Sequence, residues 1–120
     1  MPYEIIPQHA KFNRPWGWYE NLIEGVDYKV KRIEVNSGQQ ISLQYHHHRS
    51  EYWTVVKGSG YVTIDKEAIY AVPGKTFIIP VSVVHRLTAE ENGITIIEVQ
   101  MGEKCIEEDI VRLEDDYSRV

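Results

Sequence analysis

At 120 residues the chain is the size of one domain, and its 42% hydrophobic content favours a packed core over global disorder. Thirteen basic against eighteen acidic side chains give a formal net charge of −5, which excludes nucleic acid and anionic membrane as main partners, since both are held by basic patches. The single cysteine, Cys105, excludes a disulfide framework or a cysteine-rich zinc site and fits a reducing compartment. No signal-peptide pattern opens the chain and no apolar run is long enough to span a bilayer, so the expected location is cytoplasmic.

Residues 1–25 read as an N-terminal arm and first strand. They carry the cluster Arg14, Pro15, Trp16, Gly17, Trp18 and Tyr19. Aromatic side chains are packing material first, so Trp16, Trp18 and Tyr19 are expected in the core. If exposed, they would mark an interface or a sugar-stacking surface. Residues 26–104 read as the body. Residues 28–35 form a strand in which Lys29, Lys31, Ile33 and Val35 share one face. A turn at residues 36–38 leads into a strand over 40–46. Residues 51–57 follow as a strand rich in β-branched and aromatic side chains. Lys57-Gly58-Ser59-Gly60 reads as a turn before a strand at 61–65. Strands at 67–72 and 75–80 flank a turn at Pro73 and Gly74. Residues 82–87 carry His85, residues 90–93 read as a turn, and 94–101 is the last clear strand. Residues 105–120 are an acidic tail, read as a short helix or an extended arm. Short strands at this spacing, with Gly, Pro or Asn between them, predict an antiparallel sandwich or barrel.

One stretch carries chemistry. Gln44 and His46 are two apart and share a face of an extended strand. Glu51 lies just past a tight, histidine-rich bend, and His85 is available downstream as a fourth ligand. One amide oxygen, two imidazoles and one carboxylate suit Zn, Mn, Fe, Co or Ni. By alternation His47 points outward, while His48 sits in the bend itself.

These intervals match a known family. Gly38, Gln44, His46, Glu51 and Gly58 meet every interval of the first cupin motif, and Gly74, Pro80, Ser82 and His85 those of the second. Ser82 stands where that motif usually has glycine. The chain thus resembles the cupins, which implies an all-β double-stranded β-helix, or jelly-roll barrel, in a single domain. Glutamine at the first ligand position resembles the zinc-dependent phosphomannose isomerases. The runs RPWGWYE, LQYHHHRSEYWTVVKGSGYVTI and IIPVSVVHRL look like the isomerase domain of type II phosphomannose isomerases. Those are usually fused to a GDP-mannose pyrophosphorylase, whose nucleotide loop this sequence lacks.

The resemblance implies interconversion of mannose 6-phosphate and fructose 6-phosphate through an enediol. Gln44, His46, Glu51 and His85 would hold one divalent metal, zinc ahead of Mn, Co, Ni or Fe. Glu98 and His48 are the expected bases, and Arg49 would help polarise the substrate. The sugar phosphate would meet Lys31, Arg86 or Arg112. Two rival readings are a non-catalytic cupin that binds sugar phosphates or sugar nucleotides, and a metal oxidase or dioxygenase. Expected protein partners are a second copy of the chain, with the N-terminal arm covering an edge strand, and a separate mannose-1-phosphate guanylyltransferase.

Overall fold

The computed structural model describes residues 10–119. Residues 1–9 of the arm expected to pack or exchange lie outside them. The described residues form nine strands and no helix. In chain order these are β1 (Lys11–Arg14), β2 (Gly17–Glu24), β3 (Tyr28–Val35), β4 (Leu43–Tyr45), β5 (Ser50–Ile64), β6 (Glu67–Ala71), β7 (Thr76–Ile79), β8 (His85–Met101) and β9 (Val111–Glu114). Strand neighbours run β1-β2-β3-β8-β4-β9, and β5 pairs with β6, β7 and β8. β8 is the spine of the fold. Its second half, from Ile94 to Met101, lies between β3 and the first half of β5, while its first half pairs with β4 and the far end of β5.

Side-chain alternation along these strands builds the core and, at one end, the site. On β5, Glu51, Trp53 and Val55 are buried, with Tyr52 and Thr54 exposed between them. On β8, Leu87, Ala89, Ile94 and Ile96 are buried, and so are His85, Glu98 and Gln100. The inward face is therefore apolar in the middle of each long strand and polar at the end where Glu51, Glu98 and Gln100 meet. Burial of the apolar part drives folding. The polar end is affordable only because its groups are paired, since an unpaired buried charge costs several kcal/mol, on the order of 3–5.

The structure refines several of these expectations. Residues 57–60 are not a chain reversal: β5 runs through them, with register shifts at Val55/Lys57 and Gly58/Gly60. The glycines serve close approach. Gly58 has φ 77°, and a Cβ there would fall 2.1 Å from the Gly93 carbonyl oxygen; one on Gly60 would fall 1.9 Å from that of Thr88. Glycine in a strand marks such bulges as readily as turns. The matching turn at 90–93 is likewise internal to β8, with Gly93 at φ 73°. Of the two forms expected for the tail, a short helix or an extended arm, the extended one folds. Its residues Val111–Glu114 form β9, antiparallel to β4, with Gln44 opposite Arg112. The strand expected over 40–46 is shorter, Leu43–Tyr45, and Gln40 makes an isolated bridge to Thr88.

Candidate active site

His46 follows β4, Glu51 begins the inward face of β5, and His85 opens β8. Their side chains converge: His46 Nε2 lies 3.1 Å from Glu51 Oε2, and His85 Nε2 lies 3.5 Å from Glu51 Oε1. The second spacing matches the edge of a tetrahedron built on metal bonds of about 2.0–2.2 Å, and the first is slightly shorter. The tautomers follow from the outer partners. Nδ1 of His46 faces the Asp109 carbonyl at 2.6 Å, and Nδ1 of His85 faces that of Val83 at 2.9 Å. A carbonyl only accepts, so each ring carries its proton on Nδ1 and turns Nε2 toward the cluster. The His85 Nε2 atom is buried with no hydrogen-bond partner. An orphaned imidazole lone pair beside a buried carboxylate fits a divalent cation and is costly without one.

Gln44 stands beside this cluster. Its Nε2 is 3.3 Å from His46 Nε2, and its Oε1 accepts from the Ser42 hydroxyl at 2.6 Å. Because a hydroxyl can donate or accept, a half-turn of the carboxamide would keep the Ser42 bond and bring Oε1 to the cluster.

Arg49 closes one side. Its Nε donates to Glu51 Oε2 at 2.9 Å and its Nη1 to the Ile106 carbonyl at 2.9 Å, leaving Nη2 3.4 Å from His46 Nε2. Burial works against the Arg49 charge, but Glu51 and Glu98 outweigh it and raise its pKa. Burial alone would raise Glu51. The adjacent imidazoles of His46 and His85 override it and hold this carboxyl well below the usual range. Glu98 is the opposite case: burial, reinforced by the Glu51 charge, pushes it up to about 8 against the pull of Lys31 and Arg49. The Trp53 indole N–H is shared between Glu51 Oε1 at 3.1 Å and Glu98 Oε2 at 3.0 Å, and Gln100 Nε2 donates to Glu98 Oε1 at 2.7 Å.

These groups open into one cleft. Gln44, Arg49, Glu51, Glu98 and Gln100 line it together with Trp16, Tyr19, Lys31, Glu107 and Arg112. Trp16 and Tyr19 are therefore both core and cleft wall, while half-buried Trp18 bonds Glu34 instead. Lys31 is buried, paired with Glu107, and its ammonium sits 4.1 Å over the Tyr19 ring. Two expected residues lie elsewhere. His48 is exposed and does not line the cleft; its backbone N–H is what the fold uses. Arg86 does not line it either, and binds the Ile41 carbonyl and Glu114.

Sequence reasoning missed Trp53, Gln100, Glu107 and Asp109. Gln100 was within reach, being two residues from Glu98 on the same strand face. Asp109 gave no local signal. Its carboxylate accepts the backbone N–H of His47 and of His48, both at 2.9 Å, while its carbonyl orients His46. Burial opposes the Asp109 charge, but those two N–H bonds outweigh it and lower the pKa.

A curled all-β sheet with a buried His/Glu/His cluster at one end is the cupin architecture. Its likeness to an RmlC-like cupin from Shewanella frigidimarina has a TM-score of 0.73 at 19% identity, over 85% of this chain and 95% of that one. The family model for the mannose-6-phosphate isomerase C-terminal domain matches residues 3–115, and the chain belongs to that family. It is 44% identical over 112 residues to the xanthan biosynthesis protein XanB of Xanthomonas campestris pv. campestris, which covers 92% of this chain and 24% of XanB. It is 42% identical over 115 residues to the mannose-1-phosphate guanylyltransferase ManC of Salmonella typhimurium, covering 93% of this chain and 24% of ManC. The chain thus spans about a quarter of the length of these relatives. None of the described residues forms a helix long and apolar enough to cross a membrane.

Proposed function

We propose that this chain is a metal-dependent aldose–ketose isomerase that interconverts mannose 6-phosphate and fructose 6-phosphate in the cytoplasm. The observation that carries this reading is the meeting of His46, Glu51 and His85 next to a carboxyl, Glu98, that is no part of that cluster yet shares its cleft. Family membership supports the substrate class. His46, Glu51 and His85 would hold the cation, with Gln44 as fourth ligand and zinc first in order for such a mixed O/N set. A bound divalent cation supplies Lewis-acid stabilisation of negative charge on the sugar oxygens.

The protein's own part is proton transfer. Glu98 takes the proton from C2 and returns it to C1 of the enediol, the Trp53 and Gln100 bonds fixing its orientation during both steps. Arg49 acts on Glu51, holding the ligand carboxylate in place from the side. Trp16 and Tyr19 give the sugar an apolar wall and exclude water from the enediol. A homodimer and a separate guanylyltransferase partner belong to the same reading.

The test is a coupled assay of fructose 6-phosphate formation, run on protein stripped of metal and then reloaded with zinc, manganese, cobalt, nickel or iron. Turnover that appears only on reloading supports the reading. A protein that binds metal stoichiometrically and converts no mannose 6-phosphate with any of them overturns it.

A further inference from the structure

Among the described residues, two buried side-chain atoms of the cleft wall have no hydrogen-bond partner. One is Nε of Arg112, which only donates; the other is Oε1 of Gln100, which only accepts. Gln100 is 1% exposed, so bulk solvent does not satisfy that carbonyl. A buried acceptor left without a donor costs about 1–3 kcal/mol.

Strand register explains where the amide sits. Gln100 lies on β8, two residues past Glu98 on the same inward face, and pairs with Glu51 of β5 and Lys29 of β3. It therefore stands level with the metal cluster. Its Nε2 donates to Glu98 Oε1 at 2.7 Å. A carboxylate that acts as a base only accepts, so the end of the amide that meets it is the N–H end. The carbonyl is what Gln100 has left for the cleft.

A sugar hydroxyl donates as well as accepts. The other acceptors of the cleft are already engaged. Glu51 takes bonds from Arg49 and Trp53, Glu107 from Lys31, and the Gln44 carbonyl from Ser42. The two oxygens of Glu98 are held by Trp53 and Gln100.

We propose that Gln100 Oε1 accepts the substrate hydroxyl on C3, next to the reacting carbons, and so selects sugars that carry it. The choice of carbon rests on the isomerase reading, in which Glu98 works at C1 and C2. The oxygens of those two carbons change character during the reaction. The nearest hydroxyl that remains one throughout is that on C3, and Gln100 is a single hydrogen bond away from the base. A ligand with hydrogen at C3 leaves the carbonyl buried and unpaired. Gln100 thus determines specificity in addition to gripping Glu98.

The experiment measures binding without turnover. Mannitol 6-phosphate has no carbonyl to isomerise. It and its 3-deoxy and 5-deoxy forms are titrated by calorimetry into the zinc-loaded full chain and into Gln100→Met, which keeps the length of the side chain and removes both polar atoms. Wild type is expected to bind the 3-deoxy form at least about tenfold more weakly than the parent. Gln100→Met is expected to lose at least about tenfold for the parent and the 5-deoxy form, and to bind the 3-deoxy form as wild type does. Zinc affinity, read by competition with a chromophoric chelator, should stay unchanged in the variant and confirm an intact fold. Equal affinity of wild type for the parent and its 3-deoxy form overturns the assignment without recourse to the variant. An equal loss by Gln100→Met for all three ligands marks a purely structural side chain and overturns it too. The expected pattern in a protein that isomerises no mannose 6-phosphate keeps the assignment and removes only the isomerase, whereas turnover by a protein indifferent to the C3 hydroxyl does the reverse. Binding of none of the three overturns both.

Discussion

His46 is held by one residue far from it in sequence. Its ring is set by the carbonyl of Asp109, and the two peptide units after it are pinned by the carboxylate of the same residue. Outer partners of this kind are worth about 10–100-fold in metal affinity. Asp109→Asn keeps one acceptor oxygen and Asp109→Ala keeps none, so zinc affinity should fall in the order wild type, Asn, Ala, as read by chelator competition. Glu98 supports a second prediction. Glu98→Gln should lower kcat by about 10²–10⁴-fold and leave metal content unchanged. The same substitution tests the pH behaviour of the metal-free protein. The Glu98 pKa is raised from 4.5 to about 8. Between those values the folded state keeps a proton that the unfolded chain releases, so stability falls as pH rises through the window. Urea midpoints measured from pH 5 to 8 should decline in the wild type and flatten in Glu98→Gln. Glu51, with its lowered pKa, contributes in the other direction and only as pH falls below its ordinary value. The nearness of Gln44, His46 and Glu51 was legible because strand parity and a short bend are local, whereas His85 was reached only through the interval of the second motif. Asp109 and Glu107 were not, because nothing near them in sequence says which strand they will lie against.

At the level of elements, alternation marked most strands and mistook their punctuation. Gly58, Gly60 and Gly93 read as turn residues because glycine serves both turns and close strand contacts, and sequence alone does not say which carbonyl comes near. The structure answers with the Gly93 and Thr88 oxygens. Gly58→Ala therefore meets both a positive φ and a backbone oxygen, and should cost more than about 1 kcal/mol in urea unfolding. The tail was open for a different reason. An acidic segment reads equally as a short helix or an extended arm, and Val111 to Glu114 takes the extended form to supply backbone to the edge of β4, with Glu114 on the exposed side. Ser82 shows the reverse, a departure from the motif that keeps the motif's geometry. It adopts φ 67°, the region where glycine is usual, and its N–H bonds the His46 carbonyl at 2.9 Å. The glycine preference at that position thus has a direct conformational cause.

Over the whole molecule, folding and ligand assembly draw on the same residues. The buried cluster of Glu51, His46, His85, Arg49 and Glu98 is closely paired, but one imidazole nitrogen has no partner within the protein, as the proposed cation site requires. Chelation should then lower the melting temperature, and added zinc should restore it in a concentration-dependent way. Saturation at 100 times Kd would contribute about 2.7 kcal/mol. A melting temperature indifferent to chelator and to zinc would show that the cluster is held by protons alone.

The cleft takes walls from Arg14 near the start of the described residues and from Arg119 at their far end, with β8 between them. Only a fragment that runs from Arg14 to Arg119 contains both ends of it. Recovery of zinc binding after dilution from denaturant should therefore follow the same time course as recovery of native tryptophan fluorescence, with no earlier phase in which half a pocket captures the ion.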